Sequence, residues 1–177
     1  DEMYIEAGVP IITAANFAIN NGLGGLQFAT GIPAFIGGIV YMNASAYNEA
    51  ISDVIDSVLV FKNDELEWIS INDLYFGYRE STFQNHQDWV IVAVNLKLYE
   101  APVSELKEIS ISRNRRRFDT QPFEYPTCGS VFRNLDEKPI WKIVDDLGLR
   151  GKKIGNATIS EKHSNFICNM GDCNDSD

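Results

Sequence analysis

Between Gly22 and Tyr47 the chain reads GLGGLQFATGIPAFIGGIVYMNASAY, with no charged side chain and six glycines: Gly22, Gly24, Gly25, Gly31, Gly37 and Gly38. This stretch constrains the fold more than any other, because glycine reaches backbone angles and close approaches that side chains forbid. Three structures compete for it. A membrane span is poorly served by Pro33, repeated glycines and the lack of basic flanks. A buried, glycine-packed turn of an ordinary core is the second. The third is a cofactor cradle: Pro33 suits a first helical position, and Gly37-Gly38 beyond it can leave main-chain N–H groups open to a diphosphate.

The 177 residues suit one domain or two small ones with ample apolar content. A net charge of -10 disfavours nucleic acid and anionic membrane as partners. Against that acidity, Arg113, Arg115, Arg116 and Arg117 form a basic knot that suits either an anionic ligand or a solvated helix end. Cys128, Cys168 and Cys173 are odd in number and lack a CxxC pair, so neither a disulfide framework nor a zinc site is indicated. No metal is expected, and the setting expected is reduced and cytoplasmic.

Periodicity predicts mixed strand and helix without regular βαβ alternation, an α+β fold in two parts, 1–101 and 102–177. Tyr4 to Ala7 reads as a strand; Pro10 opens a helix through about Asn20, and Gly22 stops it. Ile55 to Lys62 and Leu66 to Ile71 alternate on either side of Asn63-Asp64, a hairpin signal. Asn72 starts a helical turn. Trp89 to Tyr99 is the clearest strand, apolar on both faces near its start, which predicts deep burial there. Ser104 is placed to cap a helix carrying Leu106 and Ile109 into the arginine knot, ending before Pro122. Pro126 to Asn134 turns into a short strand. A helix follows with Ile140, Ile143, Val144 and Leu147 on one face, then strands near Ala157 to Ser160 and Phe166 to Asn169.

For chemistry, Tyr78-Arg79 lies on a loop, where an arginine can clamp a carboxylate bidentately or merely form a surface salt bridge. Ser130 follows Gly129 at a strand mouth, and a held serine hydroxyl can deliver a proton to a developing carbanion. No nucleophile elbow surrounds it. His163 can orient a partner or serve structure.

Four segments in order, GIPAFIGGIVYMNASAY at 31 to 47, GYRESTFQ at 77 to 84, RRRFDTQPFEYPTCGSVFRN at 115 to 134 and IGNATISEKHSNFICN at 154 to 169, resemble the UDP-N-acetylenolpyruvoylglucosamine reductase (UDP-N-acetylmuramate dehydrogenase) family. The resemblance implies the second part of an FAD-binding α+β domain over 1–101 and a small α+β substrate-binding domain over 102–177. It implies FAD contacts at Ile32, Pro33, Gly37, Gly38, Asn43, Ser45, Ala46 and Arg117, substrate contacts at Tyr78, Arg79 and Asn134, and Ser130 as proton donor. Arg79 and Ser130 are then the catalytic side chains and serve one pocket. The implied reaction is NADPH-driven reduction of UDP-N-acetylglucosamine enolpyruvate to UDP-N-acetylmuramate. The competing expectation is a non-catalytic module of the same descent that holds a UDP-sugar or a partner protein.

The family's first FAD subdomain is expected before Asp1 and its glutamate-bearing segment after Asp177. Its Asn-Ala-Gly-Ala-Tyr-Gly appears as Asn43 to Asn48 with Ser45 and Asn48 at the glycines, and its Ala-Gly before a helix lysine appears as Ile140-Trp141. A left-handed backbone at either replaced glycine would cost on the order of 1 kcal/mol.

Overall fold

The computed structural model describes residues 1–135, 138–174 and 176. The chain forms two compact units, Asp1–Asn114 and Arg115–Asp177. Its class is α+β, with every strand pair antiparallel.

The first unit contains β1 (Glu2–Glu6), α1 (Ile11–Asn20), β2 (Leu23–Gly24), α2 (Ile36–Tyr41), β3 (Ser45–Ala46), β4 (Glu49–Ala50), β5 (Ile55–Lys62), β6 (Glu65–Ser70), β7 (Phe76–Gly77), β8 (Glu80–Ser81), β9 (Val90–Lys97) and β10 (Tyr99–Glu100). Helix α3 (Val103–Thr120) carries the backbone into the second unit. There follow β11 (Thr127–Ser130), α4 (Ile140–Asp146), β12 (Lys153–Ile154), β13 (Ala157–Ile159) and β14 (Phe166–Asn169).

The main sheet runs β1-β9-β5-β6. Cross-strand pairing aligns Ile5 with Val94, Val94 with Val58 and Val58 with Ile69, and all four are buried. A one-residue slip would turn this row to the other face, so the row fixes the register. Helix α1 buries Ile11, Ala14, Ala15, Ala18 and Ile19, the i, i+3, i+4, i+7, i+8 stripe of a core-facing helix. Asn63 and Asp64 join β5 to β6 with φ of 49° and 62°, the two left-handed residues of a type I′ hairpin. The opening of β9 departs from expectation. Val90 is exposed because it pairs with Phe61 beside that turn, at the end of the hairpin beyond the core, and burial is deepest at Ala93, Val94 and Leu96. Ser104 lies inside α3 rather than at its cap.

The glycines divide by task. Gly22 follows α1 in left-handed conformation, at φ 74°, as a helix stop. A Cβ on Gly24 would fall 2.4 Å from the Tyr99 ring, so the ring can lie over this strand pair as it does only beside a glycine. Buried Gln27 completes this knot, its Nε2 donating to Tyr99 Oη at 3.1 Å and its Oε1 accepting from the Gly25 N–H. Up to this point the stretch is packing. Pro33 does not begin a helix: residues 34 and 35 run extended beside Pro10 and Ile11, and α2 starts only at Ile36. The Ile36 and Gly37 amides donate to the carbonyls of Val9 and Ala7, so these two N–H groups are not open to a diphosphate.

The second unit has a sheet of order β11-β14-β13-β12 over a thin apolar core that includes Val144, Phe166 and Cys168. Polar pins supplement it. Arg150 grips Asp145 through Nε at 3.0 Å and also donates to the Glu161 carbonyl. Buried Ser160 accepts from the Lys162 and His163 N–H groups, and buried Ser164 donates to the Trp141 carbonyl at 2.7 Å. Either buried serine hydroxyl would cost about 1–3 kcal/mol if left unsatisfied.

Two outcomes test this description. Asp64→Gly should raise stability by roughly 0.5 kcal/mol in urea melts, since glycine takes the left-handed turn position without steric cost; a destabilised variant would contradict the turn. Burial, reinforced by Arg150, holds the His163 imidazole below its ordinary 6.5, so the unfolded chain takes up the proton first. Stability from this group is complete above that value and drains away as pH falls below it. Arg150 likewise holds the Asp145 carboxyl below its ordinary 3.8, and that contribution is lost only in stronger acid. The second unit should therefore melt earlier at about pH 5 than at about pH 7. His163→Gln should flatten that slope, and an unaltered slope would contradict it.

Candidate functional site

Strands β7 and β8 leave only Tyr78 and Arg79 for their turn, and Arg79 takes φ 58°, a position that glycine ordinarily fills. An arginine held there is a strained residue, and such outliers gather at functional sites. Its guanidinium is fully organised. Nη1 donates to Ser45 Oγ at 3.0 Å and to the Asn43 carbonyl at 3.4 Å, while Nη2 donates to the Ser45 carbonyl at 3.0 Å. The cation also lies 5.4 Å from the centre of the exposed Tyr78 ring, and Gln84 Nε2 donates to the Arg79 carbonyl at 3.0 Å. Among the described residues no carboxylate lies within ion-pair distance of Arg79. The surface salt bridge that the sequence allowed is thus replaced by a cation caged in neutral acceptors.

Asn43 ties this turn to the preceding helix. It is buried and left-handed at φ 40°; its Nδ2 donates to the Gly77 carbonyl at 2.9 Å and its Oδ1 accepts from the Ser52 N–H. The neighbouring hairpin, β3 to β4, turns through Tyr47 and Asn48, both left-handed at φ 58° and 61°. Asn48 therefore carries the backbone strain expected at a replaced glycine, and Ser45 does not. The Tyr47 hydroxyl donates to the Arg113 carbonyl at 2.9 Å, and its ring lies under the Arg113 guanidinium. That guanidinium grips Glu49 with both Nη atoms, which holds the arginine pKa up. One arginine of the basic knot is thus an anchor for the hairpin that presents Ser45 and Ala46.

Along the same segment Ile32 is half-buried against the core and Pro33 is exposed. Gly37 packs against Ala7, where an added Cβ would come within 3.2 Å of the alanine's own. Gly38 differs: it is exposed, and a Cβ there would meet nothing within 4 Å. Packing does not explain this glycine, which lies in the stretch without charged side chains and leaves room for close approach to the main chain.

In the second unit Ser130 ends β11 after a bulge. Thr127 pairs with Cys168 and Ser130 with Phe166, so three steps on one strand match two on the other, with Gly129 at φ 85°. Bulges of this kind re-aim the side chain that follows. Ser130 is exposed, and its hydroxyl makes no hydrogen bond to any described residue. What fixes it is Asn165, buried, whose side chain exchanges two hydrogen bonds with the Phe132 main chain at 3.0 and 2.9 Å. Asn134 Oδ1 accepts from the Ile140 N–H at 3.1 Å and so steadies the start of α4. Arg117 is half-buried in the last turn of α3, where a cation suits the helix dipole. Arg116, Trp141, Arg150, Lys162 and His163 line a cleft of about 370 Å3 in this unit.

Asn43, Ser45, Tyr78 and Arg79 are thus brought together in the first unit; Ser130 and Asn134 flank one strand exit in the second. Sequence reasoning missed Asn165 and the bond from Arg79 to Ser45, because both join residues far apart in the chain. Among the described residues no His, Cys, Asp or Glu cluster is placed to hold a metal, and no helix is long and apolar enough to cross a membrane.

Residues 121–177 match the family model for the C-terminal domain of UDP-N-acetylenolpyruvoylglucosamine reductase. A protein named UDP-N-acetylenolpyruvoylglucosamine reductase from Clostridium botulinum (strain 657 / Type Ba4) is 41% identical over 172 residues, 97% of this chain and 56% of its own length. One of the same name from Thermotoga maritima is 38% identical, over 97% of this chain and 60% of its own. The crystal structure of UDP-N-acetylenolpyruvylglucosamine reductase from Thermus caldophilus superposes with a TM-score of 0.89 at 31% identity, covering 99% of this chain and 64% of that one. The chain spans a little over half the length of the curated relatives it matches. Likeness in both sequence and fold along nearly all of this chain leads to one conclusion: it belongs to the UDP-N-acetylenolpyruvoylglucosamine reductase family.

Proposed function

We propose that this chain carries the cofactor-facing and substrate-facing elements of a cytoplasmic reductase that converts UDP-N-acetylglucosamine enolpyruvate to UDP-N-acetylmuramate in peptidoglycan precursor synthesis. The observation that carries this reading is Arg79: a cation in a glycine-type turn position, organised by neutral oxygens and, among the described residues, answered by no carboxylate. Its strained placement and its unspent charge both suit a ligand's carboxylate.

FAD would be the cofactor and NADPH the reductant, and when bound the flavin would supply the hydride for the enolpyruvyl double bond. Ile32, Pro33, Gly37, Gly38, Asn43, Ser45 and Ala46 would hold it, with Arg117 beside it. The open space at exposed Gly38 fits that role. Arg79 binds the enolpyruvyl carboxylate, supported by Tyr78. Negative charge that develops on the carbon next to that carboxylate delocalises into it, so a cation fixed in advance stabilises the transition state more than the ground state. The Ser130 O–H then gives its proton to that carbon, completing the lactyl ether. A serine is a weak acid for this work, so its aim matters, and the bulge at Gly129 with the Asn165 staple supplies it. Asn134 keeps the substrate's remaining polar groups beside the same strand exit.

In the flavin-loaded protein, Ser130→Ala should leave NADPH reduction of the flavin intact while slowing product formation by about 100-fold or more. Unchanged product formation would remove Ser130 as the acid. Arg79→Lys should lower turnover by roughly ten-fold or more, since a point charge cannot replace the planar fork; native kinetics would take Arg79 out of the reaction. Colourless protein that takes up no flavin yet binds the UDP-sugar would favour the non-catalytic module.

A further inference from the structure

We infer that Ser45 is a positioning residue for Arg79, whose hydroxyl and carbonyl together occupy one edge of the guanidinium so that the other edge meets the carboxylate. This rests on the reading of Arg79 as a carboxylate clamp, and adds to it which face of the fork is used and what selects that face.

A guanidinium has five N–H donors in a rigid plane and can fork a carboxylate either end-on, through both Nη atoms, or side-on, through Nε and one Nη. Here the end-on edge is taken by a single residue. Nη1 reaches Ser45 Oγ and Nη2 reaches the Ser45 carbonyl, each at 3.0 Å. The remaining bond, from Nη1 to the Asn43 carbonyl at 3.4 Å, holds the same end of the group. Among the described residues Nε–H makes no hydrogen bond, so the side-on edge is left to a ligand.

Both oxygens come from a two-residue strand whose hairpin is fixed by the Glu49–Arg113 grip and by Tyr47, so the acceptors do not drift with the side chain they orient. The Ser45 carbonyl would be present whatever the side chain; the hydroxyl is the choice this sequence makes. A glycine or alanine at this position would keep the Ser45 and Asn43 carbonyls but leave Nη1 only the longer 3.4 Å bond, loosening the group about the Nε–Cζ axis. The serine adds no backbone strain, since Ser45 is not among the residues with positive φ.

The test uses the full chain as Ser45→Ala and Ser45→Thr, with pyruvate as the carboxylate probe and 1H–15N spectra of the arginine side chains as readout. In the native chain the Arg79 Nη signals should be resolved by restricted rotation, and pyruvate should shift its Nε–H signal most. Ser45→Ala should collapse the Nη signals and weaken pyruvate roughly three- to ten-fold, the range expected for one hydrogen bond. Ser45→Thr should restore both. Native-like Nη signals and pyruvate affinity in Ser45→Ala would overturn the inference. If pyruvate leaves the native Nε–H signal unmoved, the carboxylate clamp itself fails. Loss of the Nη signals in Ser45→Ala would then still show Ser45 holding Arg79, so the two failures are distinguishable.

Discussion

The first unit depends on the buried row Ile5, Val94, Val58 and Ile69, which crosses all four strands of the main sheet. Because side chains alternate between sheet faces, this row admits one register, and everything attached to the sheet inherits it. The polar elements near Arg79 are too short to stand alone: β3, β4, β7 and β8 are two residues each. They hold their shape by docking on one another and on what the sheet fixes. Asn43 bonds to the Gly77 carbonyl, the Ser81 hydroxyl to the Tyr41 carbonyl, and Arg113 to Glu49.

The left-handed residues follow the same logic. Asn43, Tyr47, Asn48 and Arg79 all have positive φ, and all lie in or beside the two hairpins that carry the candidate site. Asparagine tolerates that conformation, as at Asn43 and Asn48, but tyrosine and arginine do so at greater cost. The surrounding bonds offset this cost: Tyr47 is held through its hydroxyl to Arg113, and Arg79 through Ser45, Asn43 and Gln84. The strained residues thus gather in the hairpins of the candidate site, as backbone outliers do at functional sites.

Much of this was legible in the sequence where the signal is local. The Asn63-Asp64 turn, the stop at Gly22 and the helix of Ile140 to Val144 each depend on neighbours within a few positions. The two hairpins at 45–50 and 76–81 were not legible as strands, because two-residue strands carry no period to detect. The end of β9 at Val90 misled for a related reason: alternation reports which faces are apolar, not how far a strand projects past its core. Within the glycine stretch the glycines differ by position: Gly24 packs against Tyr99, while Gly38 is exposed with open space where a side chain would be. Of the candidate site, residue types were legible while partnerships were not; nothing local in the chain joins Arg79 to Ser45, or Asn165 to Phe132.

The second unit solves a different problem, a thin core. There Ser160, Ser164 and Asn165 are buried and satisfied, and the Asn165 staple that supports the fold also fixes the strand end bearing Ser130. In both units the candidate chemistry thus sits on polar bonds that the fold needs for itself. The central claim, that Arg79 is a cation kept ready for a ligand's carboxylate, is tested most directly by calorimetric titration of the native chain and of Arg79→Met with UDP-N-acetylglucosamine enolpyruvate. The account predicts at least about ten-fold weaker binding once the charged fork is gone; equal affinity in the two proteins would contradict it.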